Sequence, residues 1–437
     1  MSPEETESAP ARTRQDWVIP VSVALLFMVV SMAFRVPCVT HQGDLRFSEE
    51  HLCYTDVFAL YGTEGLNHGR VPYFEQRGDG KYVEYPVLTG VWMYATARVS
   101  TLIVGGDHRG DIRGYDAFFW VNQAGFALLI LGAAAALGLL VGWKRALLFA
   151  AAPTLIFHGG VSWDMLAVAP FVFGLRSFAR REDAAAGVWL GIGAAAKLFP
   201  IFAVPFLAVQ RWREGDKRAA GLIAGVSFAV VAVLNAPFAI GAQRGWREFF
   251  LLNKLRPADW DSIWYHLDRT WHIGFYKCSG AAGARVCRYD ISTLNMVTAA
   301  LFIAGVAGLM WWQWRRLKTS TEVAPGIQAA TALAMFLAVL WFLAINKVWS
   351  PQYGIWLLPF WAFAFELRLR RLIAAWLALQ ALEIFVFVTR FWMFADKVTY
   401  SSYRMAIFTR LAAFIVVVGV LIAALPRKQI PAPEVVT

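Results

Sequence analysis

Long apolar runs, separated by short polar connections, dominate this chain. A helix needs about 20 apolar residues to cross a bilayer, and the pattern predicts about twelve such spans. They fall at 18–37, 117–141, 146–161, 163–179, 184–198, 199–210, 219–240, 291–313, 326–345, 353–367, 372–394 and 404–425. Pro153, Pro170, Pro200 and Pro205 interrupt several of them, which predicts helices that stop early around a cavity. The segment 86–104 is apolar enough to cross, yet it carries Thr89, Thr96, Arg98, Ser100 and Thr101. An unpaired arginine inside the bilayer is costly. That segment therefore reads as an amphipathic helix lying in the interface.

The connections alternate in chemistry. One kind is short and basic: Trp143-Lys144-Arg145, Arg180-Arg181, the stretch 211–218, Arg315-Arg316, Arg368 to Arg371 and Arg427-Lys428. The other kind carries acids, histidines and cysteines. Lys and Arg near span ends mark the cytoplasmic side. The chain thus reads as a multi-pass protein of the plasma membrane whose chemistry faces the extracytoplasmic side. Two large outer loops follow, about 38–116 and 241–290. A crossing at 86–104 would flip every later basic loop outward, which supports the interfacial reading.

The 437 residues are 58% hydrophobic with a net charge of +11. That fold class is all-α and membrane-embedded. The positive charge sits in cytoplasmic loops against membrane lipids, so it implies no nucleic-acid partner. Residues 1–17 are polar and read as a disordered cytoplasmic N-terminus, and 426–437 as a cytoplasmic tail. The run from Val18 to Phe34 lacks a small-residue cleavage site and reads as a signal anchor. The four cysteines, Cys38, Cys53, Cys278 and Cys287, fall two in each outer loop. An oxidising exterior favours Cys38–Cys53 and Cys278–Cys287 disulfides. Four free thiols stay open as an alternative, because spacing does not prove connectivity.

Several residues could carry chemistry. Asp56 follows the first span closely and suits a general base, or a mere loop cap. Asp164, in Ser162-Trp163-Asp164, is either a second acid beside Asp56 or the N-cap of the next span. Lys197 ends a small-residue helix, where it either snorkels or binds an anion such as phosphate. The second outer loop offers Arg256, Asp259, Asp261, His266, Arg269 and His272 among aromatic rings, a mixture suited to sugars or headgroups. Their spacing matches no standard metal motif, although it leaves room for a divalent ion. Lys347, Gln352 and Tyr353, in Lys347-Val348-Trp349-Ser350-Pro351-Gln352-Tyr353, could hold a phosphate. Glu383 lies well inside a predicted span, with Arg390 or a polar neighbour as its partner.

Taken together, these strings resemble glycosyltransferase family 87. The resemblance rests on an acid soon after the first span and on Gly69-Arg70-Val71-Pro72-Tyr73 followed by Tyr85-Pro86. It rests also on Ala196-Lys197-Leu198-Phe199-Pro200 and on Lys347 to Tyr353. That family is of the C-type membrane glycosyltransferases and includes actinobacterial mannosyltransferases fed by polyprenol-phosphate mannose. Val57 stands where relatives often carry an aromatic, and Tyr85-Pro86-Val87 replaces their Tyr-Pro-Pro. The resemblance implies a polyprenyl-phosphate sugar as donor, a glycolipid or cell-envelope glycan as acceptor, inversion, and Asp56 as base. No P-loop or Gly-x-Gly-x-x-Gly string is present, as a donor without a nucleotide requires. Two rivals remain: a flippase for a lipid-linked sugar, and an oligosaccharide ligase or polymerase.

Overall fold

The computed structural model describes residues 12–41, 44–272, 275–279, 286–364 and 369–423. Side chains of 276–289, 369–370 and 420–423 are outside that description, as are both termini. The described chain is almost wholly helical, with two two-stranded hairpins as its sheet structure. Seven helices are long and apolar enough to cross a membrane, so this is a multi-pass helical membrane protein. They are Arg14–Thr40, Val87–Val104, Ile112–Val141, Lys217–Gly241, Ile291–Thr319, Arg371–Phe394 and Tyr400–Gly419. Shorter apolar helices fill the centre: Met165–Ala179, Asp183–Ala196 and Ala329–Ile345.

Several expected spans are broken, and proline explains most of the breaks. The run expected at 146–161 is two helices, Trp143–Ala150 and Pro153–His158. Pro153 lacks the N–H that a continuing helix would need. The run expected at 199–210 begins as a 3-10 turn, Phe199–Ala203, before Val204–Arg213. Likewise 353–367 is a 3-10 segment, Pro351–Leu357, and then Leu358–Phe363. Pro170 and Pro237 instead sit inside continuous helices. The first helix starts at Arg14 and not at Val18, because the Thr13 N–H donates to the Asp16 carboxylate at 2.7 Å.

Packing proceeds largely between neighbours. Arg14–Thr40 packs on Ile112–Val141, which packs on Met165–Ala179, then Asp183–Ala196, then Lys217–Gly241. The close approach of the last pair needs Gly187 and Gly191, where a Cβ would meet the Ile223 and Ser227 carbonyls at 3.0 and 2.7 Å. Small residues serve this purpose between membrane helices.

The two ends of the bundle differ. At one end Arg12 donates to the Leu140 carbonyl (2.6 Å), and Arg211 pairs with Asp183 (2.7 Å) and Glu214 (3.1 Å). At the other end Gln123 donates to the Gly160 carbonyl (2.9 Å) and Trp163 to Asn122 (2.8 Å). The helix Val87–Val104, expected to lie flat in the interface, is long and apolar enough to cross and packs alongside Ile112–Val141. Its Thr89 donates to the Ala196 carbonyl (2.8 Å), Trp92 meets Asn122 (3.1 Å), and its far end turns back into the Asp111 cap.

The two large connections are themselves structured. Cys38 and Cys53 are joined, tying the end of the first helix to the segment before Asp56. The 241–290 connection holds Gln243–Leu255, Ile263–Trp271 and a hairpin. Cys278 and Cys287 lie directly opposite in that hairpin's register. Their side chains, and hence the expected second disulfide, lie outside the described residues.

Candidate active site

Asp56 owes its place to its neighbours. Thr55 caps the helix Asp56–Thr63 by accepting from the Val57 N–H. The same hydroxyl donates to the Gly160 and Val161 carbonyls at 3.2 and 3.0 Å, and the Asp56 N–H donates to Val161 at 2.9 Å. The carboxylate is thereby pinned to the 158–164 connection at a helix start, where the backbone field favours an anion.

A cavity of about 240 Å³ opens beside it. Glu84, Lys197, Arg256, Gln352 and Tyr353 also line it. The Gln352 amide approaches Asp56 at 3.5 Å, held by the 3-10 segment that Pro351 starts. Tyr54 and Ser162 face the carboxylate as well. Burial pushes the Asp56 carboxyl above its usual range, against the opposing pull of Lys197. The Asp56 charge, together with burial, raises Tyr54, and burial raises Tyr85. Both phenols therefore stay protonated as potential donors.

Lys197 ends the helix Asp183–Ala196, where the backbone turns extended. Its ammonium meets the Asp164 carboxylate at 3.1 Å and lies 5.1 Å from the Tyr353 ring centre and 5.5 Å from that of Tyr85. It is buried and paired, so it does not snorkel. Asp164 makes no cap bond to the following helix. Instead it accepts from Lys197 and from the Trp356 indole at 2.8 Å. Stacking of Trp356 on Tyr353 and Phe199 locks this wall.

The strings around Pro72-Tyr73 and Tyr85-Pro86 form one clasp. The Tyr73 hydroxyl donates to the carbonyls of Tyr85 (3.0 Å) and Pro86 (2.8 Å). Tyr73 holds a positive φ of 72°, an uncommon conformation for a residue with a side chain. The clasp fixes the entry of Val87–Val104 and sets Glu84 and Tyr85 on the cavity rim.

Other expected site residues are elsewhere. Lys347 does not line the cavity; its ammonium donates to Asn295 at 2.6 Å, and burial lowers its pKa to about 8. His266 is buried against Tyr400 (3.0 Å), and burial lowers its pKa to about 4, so it is neutral at physiological pH. Arg269 lies over the Tyr265 and Tyr400 rings, and His272 is an exposed helix end with φ 50°. None of these three lines the Asp56 cavity. Glu383 pairs with Arg410 (3.5 Å), not with Arg390, which binds Asp261 at 2.7 Å. The reason is that Asp261 drops from the 241–290 connection between the last two helices, where Tyr403 also donates to it.

Sequence reasoning missed Trp356 and Arg410 and left Glu84 unranked. Trp356 could have been noticed as a donor one helical turn after Tyr353. Arg410 had a signal in being a cation inside a predicted span. Among the described residues, no group of three or more His, Cys, Asp or Glu side chains is placed to hold a metal ion.

No protein-family model matches the chain, and no curated protein sequence does. Among solved structures, it is similar to the archaeal oligosaccharyltransferase AglB from Archaeoglobus fulgidus in complex with an inhibitory peptide and a dolichol-phosphate. That overlap covers 95% of this chain and 57% of the other, at 14% identity and a TM-score of 0.37. The chain thus spans little more than half of that protein, and a likeness of this degree fixes neither activity nor substrate.

Proposed function

We propose that this protein is a membrane glycosyltransferase that moves one sugar from a polyprenyl-phosphate donor to a hydroxyl acceptor, with Asp56 as general base. The observation that carries the reading is a half-buried carboxylate sharing one cavity with two cations, Lys197 and Arg256. A base and an anion-binding wall are what this transfer needs. The motif resemblance to glycosyltransferase family 87 supports the same reading and makes mannose the expected sugar.

In the reaction, the acceptor hydroxyl gives its proton to Asp56 as its oxygen attacks the anomeric carbon. The bond from that carbon to the phosphate oxygen breaks, and its electron pair leaves with polyprenyl phosphate. Attack opposite the leaving group inverts the centre. Arg256 takes the growing phosphate charge. Its side chain is 39% exposed and pairs with Asp259 of the same loop at 3.2 Å, which leaves part of the guanidinium open to the cavity. Lys197 is already neutralised by Asp164, so its part is to hold Tyr353, Tyr85 and Asp164 in place while adding a weaker attraction. Gln352 and Tyr54 orient the base. The site is expected to face the extracytoplasmic side, where nucleotide sugars are absent.

The test uses membranes with wild-type protein or Asp56→Asn, radiolabelled polyprenyl-phosphate mannose and a native lipid extract. Label entering a new product with wild type alone supports the reading. Equal transfer by both removes Asp56 from the mechanism. No transfer by wild type with mannosyl, arabinosyl or glucosyl donors points to a flippase.

A further inference from the structure

The Asp56 cavity does not stand alone. A second cleft of about 630 Å³ adjoins it between residues 80–84 and the helix Gln243–Leu255. Glu84, Leu252 and Arg256 line both spaces, so the two adjoin across these side chains. The inner cavity, at about 240 Å³, is smaller than the roughly 300–1,000 Å³ of ordinary ligand sites. It leaves a second substrate to be held next door.

Both walls of the cleft are fixed. On one side Arg77 meets Asp79 (2.7 Å), Glu64 (3.1 Å) and Glu84 (3.8 Å), while its N–H donates to the Lys81 carbonyl at 2.6 Å. On the other side Gly245 lies against the Tyr73 backbone, so closely that a Cβ there would clash. Trp246 donates to Asn235 (2.9 Å), and Asn295 to the Lys254 carbonyl (2.8 Å). A preformed cleft reduces the ordering cost of binding.

The lining mixes two chemistries. Glu84 and Glu248 offer carboxylate acceptors, and Glu248 has no ion pair among the described residues. Leu251 and Leu255 offer exposed apolar faces, 47% and 58% accessible. Vicinal hydroxyls bond to carboxylates, and the C–H face of a pyranose packs on leucine.

We infer that this cleft is an acceptor subsite for a glycan of two or more sugar units, whose terminal hydroxyl passes Glu84 to reach Asp56. The inference rests on the glycosyltransferase reading and goes beyond it by assigning the acceptor's class and path. Glu248 and Leu251 then act on acceptor length and not on the chemical step.

The test follows transfer from polyprenyl-phosphate mannose to methyl glycosides of one, two and three mannose units. Hydrolysis of the donor by water is measured in parallel. Wild type is expected to show kcat/KM at least tenfold higher for the trisaccharide than for the monosaccharide. Glu248→Ala and Leu251→Ala should each remove most of that gain through KM, with monosaccharide transfer and donor hydrolysis unchanged. A wild type indifferent to length, or variants that keep the full gain, overturns the subsite. Should wild type neither transfer nor hydrolyse, the catalytic reading fails separately. Calorimetric binding of the trisaccharide to the purified protein then decides the cleft: binding weakened by Glu248→Ala sustains it, and no binding or equal binding overturns it.

Discussion

Two buried ionic clusters occupy the same end of this bundle, and they differ in access. One joins Asp56, Asp164 and Lys197, and it opens into a cavity. The other joins Asp261 to Arg390 and Tyr403, with the Glu383–Arg410 pair beside it. No cavity residue belongs to the second cluster. Instead Arg410 donates to the Asp261 carbonyl at 3.1 Å and its guanidinium lies 3.8 Å from the Trp349 ring centre. It binds the 241–290 connection to the last two helices. Burying a charge is costly wherever it happens, so burial alone does not mark chemistry. An open path to a substrate does.

The comparison breaks most sharply at the two aspartates. Asp56→Asn should lower transfer by about 10²–10⁴-fold, the usual range for a lost general base, with no fall in thermal stability. The rate of the wild type should rise with pH through a value above the ordinary carboxylate range, because the base works when deprotonated and burial raises its pKa. A profile already flat from pH 4 would sink that assignment.

Asp261→Asn should do the reverse. It removes the nearer carboxylate from the buried Arg390 guanidinium and leaves it Asp259 at 4.0 Å, at a cost of about 3–5 kcal/mol. Thermal unfolding in detergent micelles should shift down, while the activity of the protein that stays folded is retained. Loss of activity without loss of stability would merge the two clusters into one site.

Arg256→Ala sharpens the contrast inside the cavity. Hydrogen bonds to charged groups are worth about 1.5–3 kcal/mol, or roughly 10–150-fold. The loss should appear in donor kinetics. The corresponding His266→Gln change should leave donor kinetics alone, since His266 does not line the cavity.

The smallest effect concerns the rim. Burial raises the Glu64 carboxyl from 4.5 to about 7, with Arg77 opposing it and Glu84 adding to it. The folded state therefore favours the protonated form. Its contribution to stability is complete below about pH 4.5 and is lost as pH rises through about 7. Glu64→Gln should flatten that slope in thermal unfolding measured from pH 4 to pH 8. An unchanged slope would place the titrating group elsewhere.

Much of the site was legible because its residues are anomalies of pattern. Asp56, Asp164, Lys197, Gln352 and Tyr353 are polar residues at the ends of apolar runs, and all five meet around or behind one cavity wall. Lys347 and His266 carried the same signal and yet point elsewhere. A residue's position at a span end says nothing about the direction of its side chain, which depends on local turns and on which element packs beside it.

What the sequence determined by itself is the solvent of each segment. Apolar length places helices in the bilayer, and the spread of Lys and Arg divides the connections into two classes, because both follow from local transfer free energies. Tertiary structure alone decided the pairings. Asp164 meets Lys197 and Trp356, Glu383 meets Arg410, and Glu84 lines two adjoining cavities built from residues far apart in the chain. Such contacts depend on how helices pack and where broken helices end, and no local periodicity encodes them.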